Sequence, residues 1–516
     1  MALAPFRNEP NTDLSLDASR ERFRGALELV RAQLGREYPL LIGGERVTTG
    51  ETLNSCNPAH PQQVVGRQAL GRVEDVERAL QAGWSAFPKW SATPVEERAA
   101  LLLRAAEAVR RRRLELAALM VFEVGKAWDE ADGEVSEVVD LMEWYARLAL
   151  QLQSRDQLAP WPGELTQFRY LPLGVGAVIS PWNFPLALLT GMTTAALVSG
   201  NCVVVKPAET SSTCAAWLVE LLCTLGLPPG VLNLLTGKGE VVGEALVDHP
   251  LTRFIAFTGS REVGVRIYQR GSVVHPGQRW LKRVQLEMGG KNAVVVDETA
   301  DLELAAQEIA QSAFGYQGQK CSAGSRAVLV DPVYEKVVGR VLELAAQLKV
   351  GDPTDPGVEV GPVIDGQAEE KILDYLELGK REGRLLLGGG RIDAEGHMIQ
   401  PTVFGDVDPR ARIAQEEIFG PVLAAIRARD FGHGLEIANA TEYGLSGSYF
   451  SRDPERLKVA RERFHVGNLY LNRRSTGAMM GVHPFGGFNM SGTDTKAGGP
   501  DYLLFFVQGQ SISERI

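Results

Sequence analysis

Apolar positions recur at helical spacing through the first third of the chain, and the spacing predicts helices over residues 17–36, 73–90, 95–124 and 134–153. Pro160, Pro162 and Gly163 then break the pattern. From about residue 168 short β-branched runs take over, predicting strands at 175–180, 202–206, 231–236, 253–259, 284–288 and 293–297. Helical stretches at 211–226 and 240–248 lie between several of them. Apolar strands alternating with helices imply an α/β fold whose parallel sheet is covered on both faces. A second α/β region follows Cys321, with strands or helices at 326–331, 334–348, 384–389 and 421–428, and residues 502–516 read as a closing strand. The apolar run 184–200 is short for a membrane span, carries several hydroxyl side chains and has Pro185 where a helix starts, so a buried helix is expected.

At ~150 residues per domain, 516 residues suggest about three domains. Subtracting 64 acidic from 54 basic side chains gives a net charge of −10, which offers no bulk attraction to nucleic acid or an anionic membrane. The five cysteines are scattered, without a CxxC pair, and the seven histidines form no HExxH. A disulfide framework and a metal site are therefore not expected, and a reduced cytoplasmic enzyme is. Arg7 and Glu9 interrupt any early apolar run, so no secretory signal is visible. The basic run Arg110 to Arg113 reads as a solvated helix face.

Four motifs carry candidate chemistry. Ser180-Pro181-Trp182-Asn183-Phe184-Pro185 closes a strand, where ligand crevices of α/β sheets form, and the Asn183 amide can donate to a developing oxyanion. A plain turn explains it equally well. Lys206 and Glu209 follow the next strand and could bond ribose hydroxyls, or simply each other. Phe257-Thr258-Gly259-Ser260 opens a helix whose N-terminus favours phosphate, although Ser260 could be only a cap. Last, Glu287-Met288-Gly289-Gly290 places a carboxylate at a strand end, and Cys321 follows thirty-four residues later. Flanked by Lys320 and Ser322 and expected to open a helix, Cys321 has the setting that lowers a thiol pKa, with Glu287 as general base.

In this order, PWNFP, KPAE, FTGS, LEMGGKN, GQKCSAGSR, the EIFGPV of residues 417–422 and the PFGG of 484–487 resemble the aldehyde dehydrogenase superfamily along nearly the whole chain. The resemblance implies a Rossmann-type NAD-binding domain (1–150 and 172–290), an α/β catalytic domain (291–485) and a small β flap (151–171 and 486–516) that builds homo-oligomers from dimers. It implies Cys321 as nucleophile, passing through a thiohemiacetal and a thioester, with Asn183 and the Cys321 amide as oxyanion hole and Glu287 as the base that activates water. It further implies a cofactor cleft of Ser180, Pro181, Trp182, Lys206, Ala208, Glu209, Gly237, Phe257, Thr258, Gly259, Ser260, Val263, Met288, Gly289, Glu417 and Phe419. Glu209 would repel a 2′-phosphate, which favours NAD over NADP.

Residues 467–478 and 491–496 resemble the Δ1-pyrroline-5-carboxylate dehydrogenases of that superfamily, which oxidise glutamate γ-semialdehyde to glutamate in proline degradation. That likeness implies that Ser322 and the amides of Gly477 and Ala478 hold the substrate's α-carboxylate, while Phe184 and Phe485 sandwich its aliphatic chain. By composition alone, residues 476–478 are an ordinary turn. The competing readings are another ω-semialdehyde such as succinic semialdehyde, acyl transfer to CoA, and a non-catalytic protein on an inherited fold. Glu287 argues against the second, and the joint presence of Cys321, Glu287 and Asn183 against the third.

Overall fold

The structure, a computed structural model, describes residues 3–153, 158–493 and 495–516. Two seven-stranded sheets organise it. In the first, five parallel strands lie in the spatial order Arg283–Glu287, Phe254–Thr258, Val175–Ile179, Cys202–Lys206 and Leu232–Leu234, followed by the short antiparallel pieces Leu40–Ile42 and Glu45–Val47. Counted along the chain, the parallel strands run 5-4-1-2-3, the doubly wound order in which a crevice opens beyond the carboxyl ends where the winding reverses. Strand Val175–Ile179 sits at that reversal. Val203, Val204 and Val205 are wholly buried, as helices on both faces require. One of those helices, Ala187–Val198, is buried all round, as its uniform apolarity predicts.

The second sheet runs Arg384–Leu387, Thr402–Gly405, Val422–Ala428, Arg326–Val330, Ala293–Val296, Ser446–Phe450, Asn468–Leu471, all parallel except the first. It has its own core, to which Val295, Phe404 and Ile426 belong. Residues 288–292 carry the chain from the edge of the first sheet into the interior of the second. The carboxyl end of strand Arg283–Glu287 therefore lies close to the amino ends of Ala293–Val296 and Arg326–Val330.

Several expectations need correction. The helix at 95–124 divides into Val95–Arg111 and Arg113–Val124, and the latter ends at Gly125 in the left-handed conformation, φ +66°. The next helix starts at Trp128 rather than 134. Residues 36–69 hold short strands, including Arg36–Tyr38, Thr52–Asn57 and His60–Ala69 in one small sheet, which no periodicity announced. Residues 502–506 form a tight helical turn, and only Val507–Arg515 is a strand, paired antiparallel along its whole length with Glu164–Pro172. The arginine run is not simply a solvated face. Arg110 pairs with Glu9 and Glu143, and Arg113 with Asp132 and Glu9, pinning the N-terminal segment to the helix Trp128–Gln153. Among the described residues no helix is long and apolar enough to cross a membrane, and no cluster of three or more metal-ligating side chains is found.

Candidate active site

Cys321 stands on a turn, not at the helix start that its neighbours suggested. The helix Leu302–Phe314 gives way to residues 315–318, where Tyr316, Gln317 and Gly318 have φ of 50°, 56° and 67°. Left-handed backbone costs a non-glycine residue roughly 1–2 kcal/mol, so such a run persists only where its surroundings hold it. The Tyr316 hydroxyl donates to the Val124 carbonyl at 3.1 Å, and the Gln317 amide to the carbonyls of Gly125 and Pro362 at 3.0 and 2.8 Å. At Gly318 a Cβ would fall 2.2 Å from the Gly420 carbonyl oxygen, so only glycine fits. Beyond the turn, the Asn292 amide donates to the carbonyls of Cys321 and Ala323, both at 2.8 Å, and Ser475 Oγ to that of Ser322 at 3.0 Å.

Asn183 is buried and its amide donates to the Gln319 carbonyl at 2.9 Å, two residues before the nucleophile candidate. Among the described residues the Cys321 N–H donates to no protein acceptor, which leaves it for an incoming oxygen. Glu287 ends its strand against the loop that follows Pro484. Gly487 donates its N–H to Glu287 Oε2 at 3.3 Å, and a Cβ at Gly486 would sit 2.9 Å from Oε1.

The thiol runs opposite to expectation. Burial pushes the Cys321 pKa up to about 12, and the negative charges of Glu287 and Glu417 push the same way, opposed by the Ser322 N–H. The Lys320 ammonium pairs with Glu130 at 2.6 Å rather than with the thiol. In the protein without substrate or cofactor, this setting favours the neutral thiol of Cys321.

The candidate cofactor residues gather at the reversal of the first sheet. Ser260 caps the helix Arg261–Gly271, accepting from the Val263 N–H at 3.3 Å. The simple capping alternative is thus correct as far as it goes, and the helix dipole still points at the crevice. Val263, 46% exposed, and Val241, 40% exposed, leave apolar surface on the helical segments that follow strands Phe254–Thr258 and Leu232–Leu234. Lys206 and Glu209 pair at 2.9 Å, and Glu209 also accepts from the Gly239 N–H at 2.8 Å. Gly237, at φ +157°, and Ala208 border them. Phe257 is buried beneath Gly259, and Thr258 pairs in register with Glu287. The Gly259 N–H donates to the Glu287 carbonyl at 3.0 Å, tying the candidate phosphate loop to the strand end that carries the candidate base. Met288 packs under Gly264, where a Cβ would lie 2.5 Å from its sulfur.

At the inner end of the cleft, Glu417 accepts from the Gly290 N–H at 2.9 Å, and a Cβ at Gly289 would lie 2.1 Å from its carboxylate, so a side chain there would displace Glu417. Phe419, itself left-handed at φ 61°, meets Trp182 edge-to-face at 5.6 Å, next to the half-buried Pro181. Ser180 Oγ is buried without a hydrogen-bond partner. An orphaned hydroxyl, a helix N-terminus and a carboxylate over a glycine pair together fit a dinucleotide.

A profile of the family described as "Aldehyde dehydrogenase family" matches residues 46–512. The chain belongs to the aldehyde dehydrogenase family. It is 57% identical over 510 residues, 99% of each chain, to a protein of Geobacillus sp. (strain WCH70) named 1-pyrroline-5-carboxylate dehydrogenase. A crystal structure titled 1-pyrroline-5-carboxylate dehydrogenase from Thermus with bound NAD superposes with a TM-score of 0.99 at 50% identity, covering all of both chains. Proline utilization A from Bdellovibrio bacteriovorus superposes at 0.97 with 44% identity, covering this whole chain and 54% of that one.

This aldehyde dehydrogenase also uses residues that sequence reasoning overlooked. Glu134, buried on the helix Trp128–Gln153, accepts from the Leu186 and Ala187 N–H groups at 2.8 and 2.9 Å and so caps the helix after Asn183. It also pairs with Lys126, whose ammonium lies 3.7 Å from the Phe184 ring centroid and 4.4 Å from that of Tyr316. Glu134 sits among several other acidic residues on a helix of mixed polarity, and Lys126 lies just before that helix, so the sequence carries no distinct signal for the pair. Lys291, fully enclosed behind Glu417, has its pKa pushed down to about 7 by burial, with Arg326 adding to the shift. Phe485 is fixed by reciprocal backbone bonds with Ala497 at 2.8 Å. Ser322 is buried, and Gly477 and Ala478 form an open loop after strand Asn468–Leu471.

Proposed function

We propose that this protein oxidises L-glutamate γ-semialdehyde, the open form of 1-pyrroline-5-carboxylate, to L-glutamate with NAD as electron acceptor. The observation that carries the reading is identity of 57% spread over 510 residues with a relative of that name, on a chain whose Cys321, Glu287 and Asn183 converge on one turn. Asn183 and the Cys321 amide polarise the aldehyde oxygen, and two such donors are worth several kcal/mol to a developing oxyanion. The Cys321 sulfur bonds to the carbonyl carbon while its proton passes to the carbonyl oxygen, giving a thiohemiacetal, and loss of the C–H hydride and the hydroxyl proton then leaves the thioester. Bound NAD supplies the hydride acceptor in the cleft of Ser260, Lys206, Glu209 and Glu417. With the thioester formed on Cys321, Glu287 takes a proton from water, the hydroxide adds to the acyl carbon and the sulfur departs with glutamate released.

The substrate's α-carboxylate binds Ser322 and the amides of Gly477 and Ala478, and Phe184 and Phe485 flank its methylenes. Residues 1–150 and 172–290 form the cofactor domain and 291–485 the catalytic domain. Residues 151–171 and 486–516 supply the strand pair through which copies associate as dimers, although residues 154–157 lie outside the described segments. The protein works in the cytoplasm. NADH formation from 1-pyrroline-5-carboxylate, set beside succinic semialdehyde and propanal, tests the reading. A kcat/KM for pyrroline-5-carboxylate at least tenfold above both is expected, and a preference for succinic semialdehyde would overturn it.

A further inference from the structure

The loop at residues 476–478 has no secondary structure to fix it, yet the proposed carboxylate contact needs its amides aimed precisely. Arg473 supplies the constraint. Its Nη2 donates to the Thr476 carbonyl at 3.0 Å and to the Gly477 carbonyl at 2.9 Å. A trans peptide is planar, so its N–H points away from its C=O. The Thr476 carbonyl shares a peptide with the Gly477 N–H, and the Gly477 carbonyl shares one with the Ala478 N–H. Drawing both carbonyls to one guanidinium therefore turns both N–H groups the opposite way. Neither N–H donates to a protein acceptor among the described residues. Gly477 has φ +76°, the conformation in which successive amides form an anion-binding concavity.

The guanidinium is itself held from three sides. Its carbon lies 4.3 Å from the Tyr470 ring centroid, and Nη1 lies 3.1 Å from His483 Nε2. The Met479 N–H approaches His483 Nδ1 at 3.2 Å, so the far end of the loop meets the same imidazole, whose single lone-pair nitrogen serves one of the two neighbours at a time. The Arg473 carbonyl accepts from Ser448 Oγ in the neighbouring strand. Arg474 also borders Gly477, whose Cβ would lie 3.5 Å from its Nε, but its guanidinium donates to Gln311 at 2.5 Å and to neither loop carbonyl.

We propose that Arg473 is the positioning residue for recognition of the substrate's α-carboxylate, setting the Gly477 and Ala478 amides as a paired anion cradle, with His483 as its support. The charge also polarises both peptides, which strengthens each N–H as a donor. This rests on the substrate reading above. The test is steady-state kinetics of Arg473→Ala and Arg473→Lys with pyrroline-5-carboxylate and propanal, together with inhibition by L-glutamate. Arg473→Ala raises KM for pyrroline-5-carboxylate and Ki for glutamate by about 10- to 100-fold, the scale of a lost charge-assisted hydrogen bond. Its kcat moves less than about threefold, and kcat/KM for propanal moves far less than that for pyrroline-5-carboxylate.

Arg473→Lys, which keeps the charge and one donor direction, recovers part of the loss, and it also serves if the alanine variant fails to fold. Equal losses on both aldehydes, or an unchanged glutamate Ki in either folded variant, would overturn the proposal. Absence of glutamate inhibition in the unaltered enzyme would instead overturn the substrate reading itself.

Discussion

Around Cys321 the backbone passes through three consecutive left-handed residues, whereas the cleft around Ser260 is made of ordinary strand ends and one capped helix. The first region is enclosed and cross-braced by Gln317, Asn292 and Ser475. The second keeps apolar side chains such as Val263 open to solvent. The contrast follows from what each must do. A nucleophile has to meet a carbonyl carbon within a few tenths of an ångström, so its turn is over-determined. A dinucleotide must enter and leave, and regular strand and helix termini offer donors without closing over it.

The comparison can be broken most directly at its chemical centre. Cys321→Ala is expected to lower aldehyde oxidation by about 10⁴-fold or more while leaving NAD binding, measured by titration, essentially unchanged. Glu287→Gln should cut steady-state turnover by about 10²- to 10⁴-fold yet release one equivalent of NADH per site in a rapid burst. Normal turnover in that variant would remove Glu287 from the mechanism.

The raised thiol pKa sharpens the picture through pH. Because the neutral form is favoured up to about pH 12, alkylation of cofactor-free enzyme by iodoacetamide should climb about tenfold per pH unit from 7 to 10 without levelling. A plateau near pH 8 would show an activated thiolate at rest.

Bracing predicts a stability effect. Gln317→Ala removes two buried hydrogen bonds and exposes two carbonyls to an apolar site, and should cost about 2–4 kcal/mol in denaturant unfolding, with a larger loss of kcat than of NAD affinity. The smallest effect lies in the cleft. Ser260→Ala should cost about 1 kcal/mol of helix stability and weaken NAD by only a few-fold in Kd.

The same contrast explains what the sequence could reveal. The scaffold of the proposed cofactor cleft was legible because it follows from regular pattern. Valine-rich strands such as 202–206 alternate with helices, and the ends of such strands carry Asn183, Lys206 and Ser260. The turn at Cys321 was misread as a helix start because Tyr316 and Gln317 give no local hint of left-handed backbone. Their conformation is imposed by Gly125, Val124 and Pro362, which are distant in sequence. The thiol was misjudged for the same reason. Lys320 is adjacent in sequence but paired elsewhere, while the remote Glu417 acts on the sulfur. Strands such as Arg36–Tyr38, half exposed and short, lack the alternation that would have announced them.

Asn8 stitches the start of the chain to its final stretch. Its amide donates to Asp140 at 2.8 Å and to the carbonyl of Met480 at 3.0 Å, just past the loop that Arg473 shapes. A ribosome has therefore to release almost the entire polypeptide before its opening segment can find its last companion.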